Sequence, residues 1–301
     1  MGIKRNKDKL KVVVVLGPTS SGKSDLAVEI SKKFNGEVIS ADSRQVYKKM
    51  DIGSGKVTEE EMQGVPHYLL DVVDPKKRFS VSDYKKLAEK AVKQIAEKGK
   101  LPIVCGGTAF YIKALMDGVV FPKVSPDWTL RRRLEKKTTE ELYQELEKKD
   151  PQRAENIDSK NKVRLIRALE IISKTKKPVP KVKEEPPYNS LYIGIDVDQE
   201  ELEERIEKRL DRRIEEGMIE EVRSLKEDGV SWERLEELGL EYRWIARYLQ
   251  GKIDYEEAKE RLSTDIKKFS KRQRTWWRGD ERIHWIKNLK EAEDLVNSFI
   301  K

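Results

Sequence analysis

The run Gly17-Pro18-Thr19-Ser20-Ser21-Gly22-Lys23-Ser24 satisfies the pattern G-x-x-x-x-G-K-[ST]. In that pattern the glycines let backbone N–H groups turn inward around a polyphosphate, Lys23 supplies a point charge, and the Ser24 hydroxyl can ligate Mg²⁺. The loop specifies a polyphosphate without saying which. Two other segments could bring reactive groups to such a ligand. Ser40-Ala41-Asp42-Ser43-Arg44-Gln45-Val46-Tyr47 offers Asp42 as a carboxylate on the Mg²⁺ side, as a general base, or as a turn residue capping the next stretch of chain. Cys105-Gly106-Gly107-Thr108-Ala109-Phe110-Tyr111 has paired glycines that permit close backbone approach, and Thr108 gives either a hydroxyl to the same crevice or a helix N-cap. Cys105, the single cysteine, has neither a disulfide partner nor zinc-site spacing; it suits a reducing cytoplasm and reads as a small buried residue. His67 and His284 stand too far apart in sequence to suggest a metal site and read as hydrogen-bonding structural residues.

The phosphate loop needs a buried strand before it and a helix after it. Val12 to Leu16 reads as that strand, while Leu26, Ala27, Ile30 and Phe34 recur at helical spacing. Strand-like segments at 10–16, 36–41, 101–105 and 191–197 alternate with helical patterns, which predicts an α/β fold with a mostly parallel sheet covered by helices on both faces. In such a sheet the carboxyl ends of the strands face one ligand crevice, so Asp42 should lie beside the phosphate loop. The helix at 82–98 shows an apolar stripe of Tyr84, Leu87, Ala88, Ala91, Val92 and Ile95, with Ser82 as its expected cap and Gly99 as its stop. Further helices are expected at about 199–227, 241–250 and 254–274, then a short extended Ile283–Ile286 and a terminal helix from about 289.

From Pro122 to Pro187 strands disappear and prolines cluster at both ends, which predicts a discontinuous core, 1–122 with 187–301, interrupted by a helical insertion at 123–186. Within the insertion, Lys160, Lys162, Arg164, Arg167, Lys174, Lys176, Lys177, Lys181 and Lys183 face one acid, Glu170. A second basic segment at 261–278 interleaves its cations with Phe269, Trp276 and Trp277, a mixture that suits phosphate contact with base stacking or, for the aromatics, core packing. Over its 301 residues the chain carries a net charge of +8, which suits an anionic partner without naming it. No apolar run approaches the ~18 residues that cross a bilayer, so a soluble cytoplasmic protein is expected.

Six motifs in order carry a resemblance: Gly-Pro-Thr-Ser-Ser-Gly-Lys-Ser at 17–24, Asp-Ser-Arg-Gln-Val-Tyr at 42–47, Pro-His-Tyr-Leu-Leu-Asp at 66–71, Gly-Gly-Thr-Ala-Phe-Tyr at 106–111, Arg-Leu-Ile-Arg-Ala-Leu-Glu at 164–170 and Lys-Arg-Gln at 271–273. Together they resemble the bacterial tRNA dimethylallyltransferase (tRNA isopentenyltransferase) family. The resemblance implies a P-loop NTPase-like core with an inserted helical domain. It also implies transfer of a dimethylallyl group, with Mg²⁺, from dimethylallyl diphosphate to N6 of the adenine immediately 3′ of a tRNA anticodon. Carried onto this chain, Asp42 becomes the base, with Thr108 and Lys23 beside the reacting groups, and Thr19 to Ser24 the diphosphate cradle. Asp42, Ser43, Arg44, Gln45, Thr108, Arg131, Arg164, Arg167, Lys271, Arg272, Gln273 and Arg274 become contacts to the anticodon stem-loop, and a monomer is expected. One departure is Leu240-Glu241-Tyr242-Arg243, where the family pattern has Gly-Tyr-Arg. No D-D-x-x-D cluster of the kind that holds diphosphate in many soluble prenyl synthases occurs, leaving that task to the loop.

Three other readings share the loop: a nucleotide-dependent P-loop kinase or NTPase acting on a small molecule, a prenyltransferase that uses AMP or ADP, and an RNA-binding protein with a nucleotide switch. The first two have no need of the basic segments.

Overall fold

The computed structural model describes residues 9–122, 124–180 and 185–301. Residues 1–8, the insertion boundary at 123, and Lys181 and Lys183 of the basic run lie outside the described residues. The chain divides into two compact units, Met1–Gly118 with Pro186–Lys301, and Val119–Glu185.

In the first unit β1 (Lys11–Leu16) runs through the phosphate loop into α1 (Lys23–Lys33), followed by β2 (Gly36–Ser40), the single turn α2 (Glu59–Met62), the short β3 (His67–Tyr68), α3 (Val81–Glu97), β4 (Leu101–Gly106) and α4 (Ala109–Met116). The second unit is helical: α5 (Trp128–Glu135), α6 (Thr139–Lys149), α7 (Pro151–Glu155) and α8 (Lys162–Thr175). The first unit resumes with β5 (Asn189–Ile195), α9 (Gln199–Glu215), α10 (Met218–Glu227), α11 (Trp232–Leu238), α12 (Leu240–Leu249), α13 (Tyr255–Trp277), β6 (Ile283–Ile286) and α14 (Leu289–Ile300).

The six strands form one sheet in the order β3-β2-β4-β1-β5-β6, every neighbouring pair parallel. Side chains alternate across a strand, and β1 is buried on both faces. Val12, Val14 and Leu16 pack with Tyr84, Ala88 and Val92 of α3 and Ile112 and Leu115 of α4, whereas Val13 and Val15 pack with Leu26 and Ile30 of α1 and Val296 of α14. Each buried valine, leucine or isoleucine contributes ~1.5–3 kcal/mol by leaving water. A separate core unites α9 to α12 with the first part of α13 around Ile206, Leu210, Val222 and Tyr242. The helical unit has its own core, in which Leu142, Leu146, Leu165 and Leu169 meet.

Several elements differ from the sequence expectation. Helix α3 is capped by Ser80 rather than Ser82: the Ser80 hydroxyl accepts the Asp83 N–H while the Asp83 carboxylate accepts the Ser80 N–H, a reciprocal box that Ser82 inside the helix cannot make. Leu87 of its expected apolar stripe is exposed. The helix expected over 199–227 is two helices, because Gly217 adopts φ 99° between α9 and α10. Helix α11 and strand β3 were not expected, since their sequences are short and mostly polar.

Candidate active site

Parallel pairing sets β1, β2 and β4 side by side, so the segments leaving their carboxyl ends meet. The Ala41 N–H donates to the Cys105 carbonyl at 2.7 Å, and the Thr108 N–H donates to the Ala41 carbonyl at 3.1 Å. This approach needs glycine at 106, where a Cβ would lie 2.3 Å from the Ala41 oxygen. At the head of α1, Gly22 takes φ 85°, which turns the loop so that the helix N-terminus, Lys23 and Ser24 face one pocket.

That pocket is lined by Thr19, Lys23, Ser24, Asp42, Cys105 and Arg209, among others. Asp42 therefore does lie beside the phosphate loop. Its Oδ1 accepts the N–H groups of Arg44 at 2.7 Å and Gln45 at 3.3 Å, an Asx-type turn that fixes the carboxylate. Among the described residues its Oδ2 takes no hydrogen bond. Thr108 stands at the N-cap position of α4 but makes no capping bond; its Oγ1 accepts the Ser43 N–H at 3.1 Å and so braces the Asp42 turn.

The cations of the site come from two places. Lys23 is half-buried with Nζ 3.1 Å from the Pro18 carbonyl, and burial lowers its pKa, with Arg209 and Arg213 pressing in the same direction against Cys105 and Asp42. Burial and the neighbouring Arg213 bring Arg209 down to about 10. Arg213 is buried, its Nη1 3.4 Å from the Glu241 carboxylate. Burial raises the pKa of Glu241, and Arg213 opposes the rise. Glu241 therefore fills the place of the expected glycine with a carboxylate that faces the arginine pair. Gly55, at φ +58°, gives these arginines their room, because a Cβ there would fall 1.5 Å from Arg213 Nη2 and 2.5 Å from Arg209 Nη2. Of the arginines of α9 and α10, Arg209 and Arg213 are the ones that turn inward, and the sequence carries a signal for the second of them. The signal was periodicity: Arg213 continues the buried row Leu202, Ile206, Leu210, whereas Arg205 and Arg223 form surface pairs with Glu201 and Glu220.

Burial pushes the Cys105 thiol up to about 12, so it is a packed thiol and not a nucleophile. His67 lines the pocket, with Nδ1 2.8 Å from the Val65 carbonyl. His284 is exposed.

The residues that the resemblance assigned to tRNA separate into two groups. Lys271, Arg272 and Arg164 are exposed, and Arg272 lies over the Phe269 ring at 5.8 Å. The others have partners inside the protein. Arg44 Nε donates to the Leu238 carbonyl at 2.6 Å, Gln45 Nε2 to the Gly55 carbonyl at 2.9 Å, and Arg274 Nη1 to Gln199 Oε1 at 2.7 Å. Arg131 forks onto Glu170 through two bonds of 2.8 Å, and Arg167 pairs with the same carboxylate. Gln273 is buried, with both ends of its amide bonded within the protein. Of the interleaved aromatics, Trp277 is core and Trp276 is exposed.

A family model described as IPP transferase matches residues 45–280. The chain belongs to the IPP transferase family. It is 45% identical over 299 residues to a tRNA dimethylallyltransferase of Acetivibrio thermocellus, covering 96% of this chain and 95% of the relative. Among solved structures it resembles the full-length tRNA isopentenylpyrophosphate transferase of Bacillus halodurans, with a TM-score of 0.74, 34% identity and 97% of each chain covered. It also resembles a eukaryotic dimethylallyltransferase acting on tRNA, with a TM-score of 0.80, 28% identity, and 96% of this chain and 77% of that one covered. The IPP transferase match begins at Gln45, and the phosphate loop lies within the longer alignments.

Proposed function

We propose that this IPP transferase family member moves a dimethylallyl group from dimethylallyl diphosphate to N6 of the adenine immediately 3′ of a tRNA anticodon, releasing diphosphate. One observation carries the reading: a single pocket puts the Asp42 carboxylate together with the phosphate loop, Lys23 and Arg209. Names and folds of the relatives support the choice of substrates.

The chemistry asks for this combination. An exocyclic adenine amine is a weak nucleophile because its lone pair is delocalised into the ring. As its nitrogen bonds to the allylic carbon, the carbon–oxygen bond to diphosphate breaks, and one proton must leave the nitrogen. Asp42 takes that proton, while the loop amides, Lys23 and the arginine pair hold the departing charge. Thr108, by accepting the Ser43 N–H, keeps the base in place. Mg²⁺ fits the pocket through Ser24, which lines it beside the phosphate loop and would offer its hydroxyl to the ion, and among the described residues no cluster of three His, Cys, Asp or Glu competes for it. Such a hard ion takes one or two protein ligands and fills its shell with phosphate oxygens and water, and when bound it would neutralise diphosphate charge.

On the RNA side, the exposed Lys271, Arg272 and Arg164 supply phosphate contacts, and Arg131 and Arg167 act from positions set by Glu170. The target base must leave its stack to reach the pocket. In Asp42→Asn, turnover is expected to fall about 10²- to 10⁴-fold while tRNA affinity stays near that of the wild type, measured by single-turnover prenylation and filter binding. Equal loss of turnover and affinity would make Asp42 a structural residue and remove the base from the mechanism.

A further inference from the structure

Gln273 lies on α13 with 6% of its surface exposed. Its Oε1 accepts the Thr19 N–H at 2.9 Å, and its Nε2 donates to the Gly107 carbonyl at 2.8 Å. Thr19 belongs to the phosphate loop and Gly107 immediately precedes Thr108, so one side-chain amide joins three segments that are distant in sequence. The fit is close, because a Cβ on Gly107 would stand 2.2 Å from Gln273 Nε2 and 3.4 Å from the Gly17 carbonyl. A neutral carboxamide is the side chain that presents one donor and one acceptor at this reach.

We propose that Gln273 is a positioning residue for the diphosphate site. By holding the Thr19 N–H and the Gly107 carbonyl, it fixes the phosphate loop against the loop that carries Thr108 and keeps the remaining loop amides directed at the anion. This inference rests on reading the pocket as a diphosphate cradle. It differs from an RNA contact, since both polar ends of the side chain are spent inside the protein.

The test uses inorganic pyrophosphate as ligand for the full chain, with tRNA affinity as a parallel readout. Gln273→Met keeps the length and loses both bonds, and pyrophosphate affinity is expected to fall roughly 10-fold while tRNA affinity is unchanged. Gln273→Glu, as a carboxylate, loses the bond to Gly107; protonated, it again has one donor and one acceptor. Its affinity relative to the wild type at each pH is therefore expected to recover on acidification, which a role in folding alone would not produce. Variants that bind pyrophosphate like the wild type, or that lose tRNA binding and keep pyrophosphate, overturn the inference alone. A wild-type protein that does not bind pyrophosphate overturns the cradle and this role with it. If the variants fail to fold, amide exchange in the wild type decides: Thr19 is expected to exchange much more slowly than Ser20, and equal rates contradict the proposal.

Discussion

Lys23 and Arg209 line one pocket in which burial disfavours the charge of both, with Arg213 buried next to Arg209 and Glu241 as the buried counter-charge beside Arg213. A bound polyanion relieves that repulsion. Because the Lys23 pKa is lowered in the free protein, its ammonium loses its proton earlier than usual as pH rises, and bound diphosphate restores the charge. Pyrophosphate binding on the alkaline side is therefore expected to take up protons, visible by calorimetry in buffers of different ionisation enthalpy, and the uptake should vanish in Lys23→Met. Gly55→Ala places a methyl group where the two guanidinium groups now lie, and about 10-fold weaker pyrophosphate binding is expected, measured in the same titration. The loop and Asp42 were legible because their chemistry is local in sequence. The arginine pair was not, because only packing of α9 decides which of its cations turn inward.

Helices and strands were legible where pattern and burial agree. All four strands expected before residue 198 exist, because buried parallel strands are written as continuous apolar runs such as Val12 to Leu16. Caps and breaks were less legible: Ser82 was the expected cap, and the return of the Asp83 carboxylate to Ser80 shows only in the folded turn. Ser80→Ala is expected to cost about 1 kcal/mol in urea unfolding, and Ser82→Ala far less. In the helical unit α5 is tied to α8 by Glu170, a wholly buried carboxylate. Burial works to raise its pKa, but bonds from Arg131, the Asp127 N–H and Arg167 outweigh burial and bring it to about 2. Since the folded value lies below the ordinary glutamate value of 4.5, this tie is intact above that pH and is lost as pH falls towards about 2. Glu170→Gln should flatten the loss of stability across that window, followed by denaturant midpoints at stepped pH. Sequence reading saw Glu170 as the lone acid in a basic run and the last residue of the motif at 164–170; its role as the anchor of two arginines comes from the packing of α5 on α8.

At the scale of the molecule, the +8 charge is spread over both units: Arg164 is exposed in the helical one, and Lys271 and Arg272 on α13 of the other. If these side chains meet RNA phosphates, neutralising one should lower affinity for all tRNAs alike and reduce the slope of log affinity against log salt by about one. Arg274→Gln should act less, because Arg274 is already bonded to Gln199. The pocket in the first unit and the cations of both units have one joint task in this account, the alkylation of an RNA base. The most direct measurement is the mass of tRNA nucleosides after incubation of the purified protein with tRNA, dimethylallyl diphosphate and Mg²⁺. The account predicts the mass gain of one dimethylallyl group on the adenosine immediately 3′ of the anticodon, with no requirement for ATP. Unaltered RNA, together with phosphoryl transfer from a nucleoside triphosphate to a small acceptor, would contradict it.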